Sequence, residues 1–186
     1  MHPALIVVVV VAIPLLWLVG TYNGLVRLRN HCRESWAGID TELKRRYDLI
    51  PRLVEVVKGY ARHEREVFER VAEARAAALA SNGSPSSQAR DENALVGAMK
   101  GLFAVIERYP DLKASSNFLA LQTELVNTED RIAAARRFYN ANVRDFNTRR
   151  EVFPANLLAG LFGFGREEFF EVEDHTIRVA PAVSVA

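Results

Sequence analysis

The chain has 186 residues, 24 Lys and Arg against 23 Asp and Glu, a net charge of +1 and a single cysteine. That balance argues against nucleic acid as the principal partner, because phosphate-binding proteins concentrate basic charge on one face, whereas here acidic residues are interleaved with it. Cys32 alone excludes an internal disulfide and leaves no thiol pair for a redox or zinc motif.

Residues 3 to 26, PALIVVVVVAIPLLWLVGTYNGLV, contain no Asp, Glu, Lys, Arg or His. At ~1.5 Å per residue a helix of that length reaches about 36 Å, enough to cross a hydrocarbon core of roughly 30 Å. Pro14 is tolerated in such a helix, and Trp17 and Tyr22 suit its wetter end. A cleaved secretory signal would need a basic start and small residues before the cut. Met1-His2-Pro3 has no Lys or Arg, and cleavage after Gly20 or Gly24 would set Leu18 or Tyr22 three residues before the scissile bond. Residues 1–26 are therefore expected to be a single-pass transmembrane anchor whose chemical partner is the lipid bilayer. Arg27, Arg29 and Arg33 follow it, and the positive-inside rule puts the remaining domain on the cytoplasmic side of the inner membrane.

Helical periodicity dominates the rest, with room for one compact core. Leu25, Leu28, Cys32, Trp36, Ile39, Leu43, Tyr47 and Ile50 recur at steps of three or four. No breaker separates this stripe from the span, so the membrane helix is expected to continue into the domain, with Gly20 or Gly24 as points of bending. Pro51 predicts a kink or tight reversal. A second stripe runs Leu53, Val57, Tyr60, Glu64, Val67, Val71, Ala74 and Ala78, with Arg62-Glu66 and Glu66-Arg70 pairs at helical spacing. Residues 81–92, SNGSPSSQARDE, read as a solvated loop. Leu95, Met99, Leu102, Phe103, Ile106 and Tyr109 form a third stripe, stopped by Pro110. The fourth is the most regular: Phe118, Leu121, Leu125, Thr128, Ile132, Ala135, Tyr139, Asn142 and Phe146. With no alternating strand pattern, the expected fold is all-α. A transmembrane helix would continue into an antiparallel, coiled-coil-like four-helix bundle over residues 27–151.

Residues 152–170 form the next segment. FPANLLAGLFGFG, residues 153–165, is apolar, uncharged and too short to span a bilayer. A short helix folded back over the bundle is the commoner use of such a stretch; the lipid interface or a partner is the alternative. Phe153, Leu157, Leu158, Leu161, Phe162 and Phe164 are the candidate contact patch. The sequence beyond, from Arg166 and including the tail 171–186, is expected to be largely mobile.

Catalytic patterns are missing. His2, His31, His63 and His175 are scattered, His63-Glu64 lacks a second His one turn on, and no Glu-x-x-His pair exists for a di-iron site. GFGREEF has neither a preceding strand nor a Walker lysine, and the serines of 81–87 have no base beside them. These absences predict no enzyme, no cofactor and no metal. The polar residues that stand out lie on helices: Asp40, Lys44, Arg46 and Asp48 on one, and Glu129, Asp130, Arg131, Arg137 and Asn140 on another. Opposite charges on both predict cross-helix salt bridges that set register, the ordinary role of charge on a bundle, ahead of a ligand or partner site. Asn142 and Thr128, at stripe positions, are further candidates for register.

YNGLVRLRNHCRESWAGID, TELKRRYDLIPRLVEVVKGYARHE, YPDLKASSNFLALQTELVNTEDRIAAARRFYNANVRDFNT and FPANLLAGLFGF resemble, in order, the sequence blocks of the LemA family of bacterial membrane proteins. The resemblance implies an amino-terminal anchor followed by a helical bundle, and little about activity. Some relatives carry a lipoprotein cysteine before the YN block; here Val19-Gly20-Thr21 stands there. Family members are often encoded near an HtpX-type membrane zinc metalloprotease, which implies a partner in envelope quality control by neighbourhood rather than by chemistry. The expected function is that of a membrane-anchored, non-enzymatic scaffold or adaptor with a membrane-protein partner. An accessory factor to such a protease and an oligomeric membrane-remodelling protein are the alternatives, and homo-oligomerisation is compatible with all three.

Overall fold

The computed structural model describes residues 3–172, with side chains from Val8 onward. Its helices are α1 (Pro3–Tyr60), α2 (Arg65–Ala80), α3 (Pro85–Ile106), α4 (Pro110–Lys113), α5 (Ser116–Glu151) and α6 (Ala155–Leu161). No strand occurs among the described residues, and the fold is all-α as expected. The chain divides into two compact units, Met1–Asp40 with Ala134–Phe169 and Thr41–Ala133 with Phe170–Ala186, so α1 and α5 each contribute to both.

The first unit begins with apolar side chains that nothing covers. Val8, Val10, Val11, Ile13, Leu15 and Leu16 are all more than half exposed on α1. One face then closes: Thr21, Leu25, Cys32, Ser35 and Ile39 are buried, and Leu28 and Trp36 half-buried. The change occurs inside an unbroken helix that passes Gly20 and Gly24 without interruption. α5 returns alongside in the opposite direction, since Trp36 meets Tyr139 at 5.2 Å while the amide of Asn142 donates to the His31 carbonyl at 3.4 Å. Thr128, in the other unit, is buried and donates back to its own helix at Glu124 O (2.8 Å).

After α5 the chain turns through α6, whose Ala155, Leu158 and Ala159 are buried. Gly163, at φ +65°, ends it. The Phe164 N–H donates to Ala159 O at 2.9 Å and the Gly163 N–H to Gly160 O at 3.4 Å, a Schellman closure that requires the left-handed conformation glycine adopts without strain. The extended segment beyond is not loose. Asn147 accepts from the Glu167 N–H (3.0 Å) and donates to the Glu167 carbonyl (2.9 Å), Tyr139 donates to Glu168 O (2.8 Å), and Arg150 Nε donates to Phe164 O (2.7 Å). Mobility from Arg166 onward was the expectation; α5 side chains instead supply the partners that this strand-like backbone needs. Of the tail 171–186, residues 173–186 lie outside the described residues.

In the second unit the reversal expected at Pro51 lies ten residues later, at Ala61–Glu64, and α1 runs straight through the proline to Tyr60. The physical reason is local. Proline has no N–H to give the carbonyl four residues back, that of Tyr47. Arg75 of α2 supplies a substitute, its Nε donating to Tyr47 O at 2.6 Å. The second stripe thus serves two helices, with Leu53 and Val57 buried on α1 and Val71 and Ala78 on α2, while Val67 and Ala74 are half-buried, Tyr60 is exposed, and Phe68, outside the stripe, is buried. Glu66 pairs with Arg70 at 3.5 Å as its spacing suggested.

The expected loop 81–92 is shorter than its composition implied. Ser84 caps α3, accepting from the Ser87 N–H at 3.4 Å, and Pro85 occupies the first turn, where its missing donor costs nothing. Gln88, Ala89 and Glu92 are consequently buried core positions. The remaining stripes fall as read, with Leu95, Met99, Leu102, Phe103 and Ile106 buried on α3 and Phe118, Leu125, Ile132, Tyr139 and Phe146 on α5.

The role given to Arg75 is testable by a double-mutant cycle. Arg75→Ala is expected to cost about 1–3 kcal/mol of stability in the native chain, and clearly less in a Pro51→Ala background, where the residue 51 N–H again reaches Tyr47 O. Thermal unfolding in detergent followed by circular dichroism measures both. Equal costs in the two backgrounds would refute the compensation.

Candidate functional site

Two constellations stand out, one in each unit. In the second unit Arg46, 3% exposed, lies between two carboxylates. Its Nη1 donates to both oxygens of Glu129 at 3.1 and 3.3 Å, and its Nη2 contacts Glu92, which is fully buried. The Tyr47 hydroxyl donates to the other Glu92 oxygen and lies 3.4 Å from the Ala78 carbonyl. Residues 46 and 47 of α1 thereby touch α2, α3 and α5 together. Burying these charges is tolerable only because each has a partner; the group holds helices in register rather than presenting a reactive atom. An exposed ion pair, Arg108 with Glu64 at 2.8 Å, ties the end of α3 to the turn after α1.

The sequence places Arg46 and Glu129 on two helices of opposite charge without pairing them, and singles out none of Glu92, Tyr47 and Arg75 as a polar partner; the structure joins Arg46 to Glu129. The signal for Glu92 was present. Gln88, Glu92, Leu95, Met99, Leu102 and Ile106 continue one stripe at steps of three and four, but the Ser and Pro content of 81–92 concealed where it starts. The other candidates are dispersed. Lys44, Asp48, Asp130 and Arg131 are exposed in the second unit; in the first, Arg137 is exposed while Asp40 and Asn140 are half-buried. Among the described residues no three His, Cys, Asp or Glu side chains gather as metal ligands.

The first unit carries an aromatic seam. Tyr22 of α1 packs edge-on against Phe162 (centroids 4.9 Å) and Phe164 (5.7 Å); Phe164 continues to Phe146 at 6.4 Å, and the Arg29 guanidinium sits 5.0 Å over the Phe164 ring. Such contacts add about 0.5–1.5 kcal/mol each beyond burial. The contact patch divides accordingly. Leu158 and Phe164 face inward, whereas Phe153, Leu157, Leu161 and Phe162 are exposed, at 75%, 65%, 76% and 49%. Nearby, burial and then the negative charges of Glu167 and Asp145 push the Cys32 thiol up to about 11, so little thiolate exists at neutral pH. Burial, followed by Glu167, likewise raises the Tyr139 phenol.

The profile of the LemA family matches residues 35–185. The chain is 28% identical over 175 residues to magnetosome protein MamQ 2 of Paramagnetospirillum magneticum, covering 81% of this chain and 64% of that one. It is 26% identical over 174 residues to MamQ of Magnetospirillum gryphiswaldense (80% and 64%) and 30% identical over 144 residues to protein LemA of Metamycoplasma hominis (76% and 64%). The match thus spans under two thirds of the length of each of these relatives.

If Arg46 neutralises a buried carboxylate, Arg46→Ala should cost about 3–5 kcal/mol by leaving Glu92 uncompensated, while the apolar pair Arg46→Met with Glu92→Leu recovers most of that loss. Glu129→Gln, on the half-exposed side, should cost under about 1 kcal/mol. Unfolding midpoints of the three variants decide it; a mild Arg46→Ala would contradict the assignment.

Proposed function

The chain belongs to the LemA family, and from that premise we propose that it is a membrane-anchored, non-enzymatic scaffold or adaptor of the bacterial envelope. Its helices form an antiparallel bundle on the cytoplasmic side of the inner membrane, held there by one span. The observation that carries this reading is α1 itself. One helix has uncovered apolar side chains through Leu16 and a buried face from Thr21. Among the described residues it alone is long and apolar enough to cross a bilayer. Anchorage confines the domain near other membrane components and raises its effective concentration toward them, so modest contacts suffice for binding. Exposed charged side chains, including Asp48, Asp130, Arg131 and Arg137, would supply such contacts.

A two-part experiment tests this. In a Cys32→Ala chain carrying Asn82→Cys in the α2–α3 turn, a membrane-impermeant maleimide should label nothing in intact cells and label fully after lysis. A photo-cross-linking residue at Arg131 or Arg137 should then yield a discrete adduct with a membrane protein. Labelling of intact cells would reverse the topology, and the absence of any reproducible adduct would remove the scaffold role.

A further inference from the structure

Thr21 and Leu25 lie within the uncharged stretch that ends at Val26, yet they are 3% and 0% exposed. Some part of the protein must therefore cover α1 at the depth of its last turns in the lipid. At that level the Tyr22 ring meets Phe162 and Phe164, which brings the end of α6 to the place where the span leaves the hydrocarbon.

α6 arrives there with an apolar face turned away from the protein. Phe153, Leu157 and Leu161 are each about two thirds exposed or more, and Phe162 about half. Residues 152–165 contain no charged side chain, and Asn156 is the one polar residue among them. An uncovered patch of that composition in water is a liability that folded proteins avoid unless something occupies it. Here Tyr22 joins the end of this patch to α1, whose preceding turns carry exposed Leu15, Leu16 and Val19. Arg27 is exposed just past the span, and the segment's flanks in sequence carry exposed Arg149 and Arg166 together with exposed Glu151 and Glu168.

We infer that residues 153–162 are a second membrane element, a short interfacial wedge whose Phe153, Leu157, Leu161 and Phe162 lie in the headgroup and upper acyl region of the leaflet beside α1. The occupant of the patch is lipid. Burial to about 5–10 Å is the depth such elements reach, and neighbouring arginines favour anionic headgroups. Leu158 and Phe164 clamp the wedge from the protein side and Gly163 provides the turn back. The wedge fixes the rotation of the first unit about α1 relative to the membrane plane, which a single span cannot do. This inference rests on α1 being embedded.

Depth-resolved quenching of the full-length chain tests it. In a Cys32→Ala background, Leu157→Cys, Leu161→Cys, Leu15→Cys and Phe138→Cys are each labelled with an environment-sensitive nitrobenzoxadiazole. They are reconstituted into vesicles of phosphatidylcholine and phosphatidylglycerol containing lipids brominated near the ester or near the chain terminus. The labels at 157 and 161 should lose fluorescence chiefly to the shallow bromolipid, with blue-shifted emission. The label at 15 should respond to deep bromolipid. Phe138, beside the Tyr139 that packs on Trp36, is about 21 Å further along α1 than Tyr22 and should respond to neither. An unquenched label at 15 would overturn the anchor itself. Quenching at 15 with labels at 157 and 161 in water, or shielded from aqueous iodide without any bromolipid effect, would overturn the wedge alone; the shielded case would assign the patch to protein. Quenching at 138 would contradict it too, by laying the whole unit on the surface.

Discussion

Under the proposed anchorage, one unbroken helix has to satisfy two solvents. In the first turns of α1 the side chains are apolar all round, which is what a hydrocarbon environment demands. From Thr21 onward only one face is apolar and that face is buried. Because the helix does not break between these regimes, its rotational setting in the lipid and its packing in the first unit are one degree of freedom. The Tyr22, Phe162 and Phe164 seam lies at this transition, where the setting is decided.

Keeping α1 continuous has a cost further along. Pro51 would ordinarily end a helix, yet here a guanidinium from α2 takes over the acceptor the proline abandons, and the chain gains two and a half further turns before reversing at Ala61. The same region buries Arg46 with Glu92 and Glu129. Both features put polar atoms where apolar packing would be cheaper, and both join α1 to other helices through directional bonds. Leucine stripes alone tolerate sliding by a turn; a carboxylate that must meet one particular guanidinium does not.

Much of this was legible in the sequence. The helical stripes and most of their buried positions follow from periodicity, and the apolar lead from composition, although Tyr60 of the second stripe is exposed and Phe68 beside it is buried. What escaped the reading shares one character: long-range polar rescue. Pro51 reads as a break unless Arg75, twenty-four residues away, is known to reach Tyr47. Residues 81–92 read as loop by composition, although Ser84-Pro85 is a helix start in its own right and Glu92 falls on the stripe that follows. The segment after Arg166 looks unanchored because the groups that hold it, Asn147 and Tyr139, belong to a helix whose pattern had already been assigned to the core. Family resemblance supplied the envelope context, and geometry supplied the depth at which α6 meets α1.

The claim on which the whole rests is that α1 is a rigid rod across the membrane boundary. Nitroxides at Leu16→Cys and Glu34→Cys, in a Cys32→Ala chain, stand on the same face eighteen residues apart, five turns or about 27 Å along the axis. Double electron–electron resonance in lipid bilayers should give a single narrow distance distribution near that separation. A broad or shortened distribution would mean a hinge at Gly20 or Gly24, and the coupling between span and packed face would be lost.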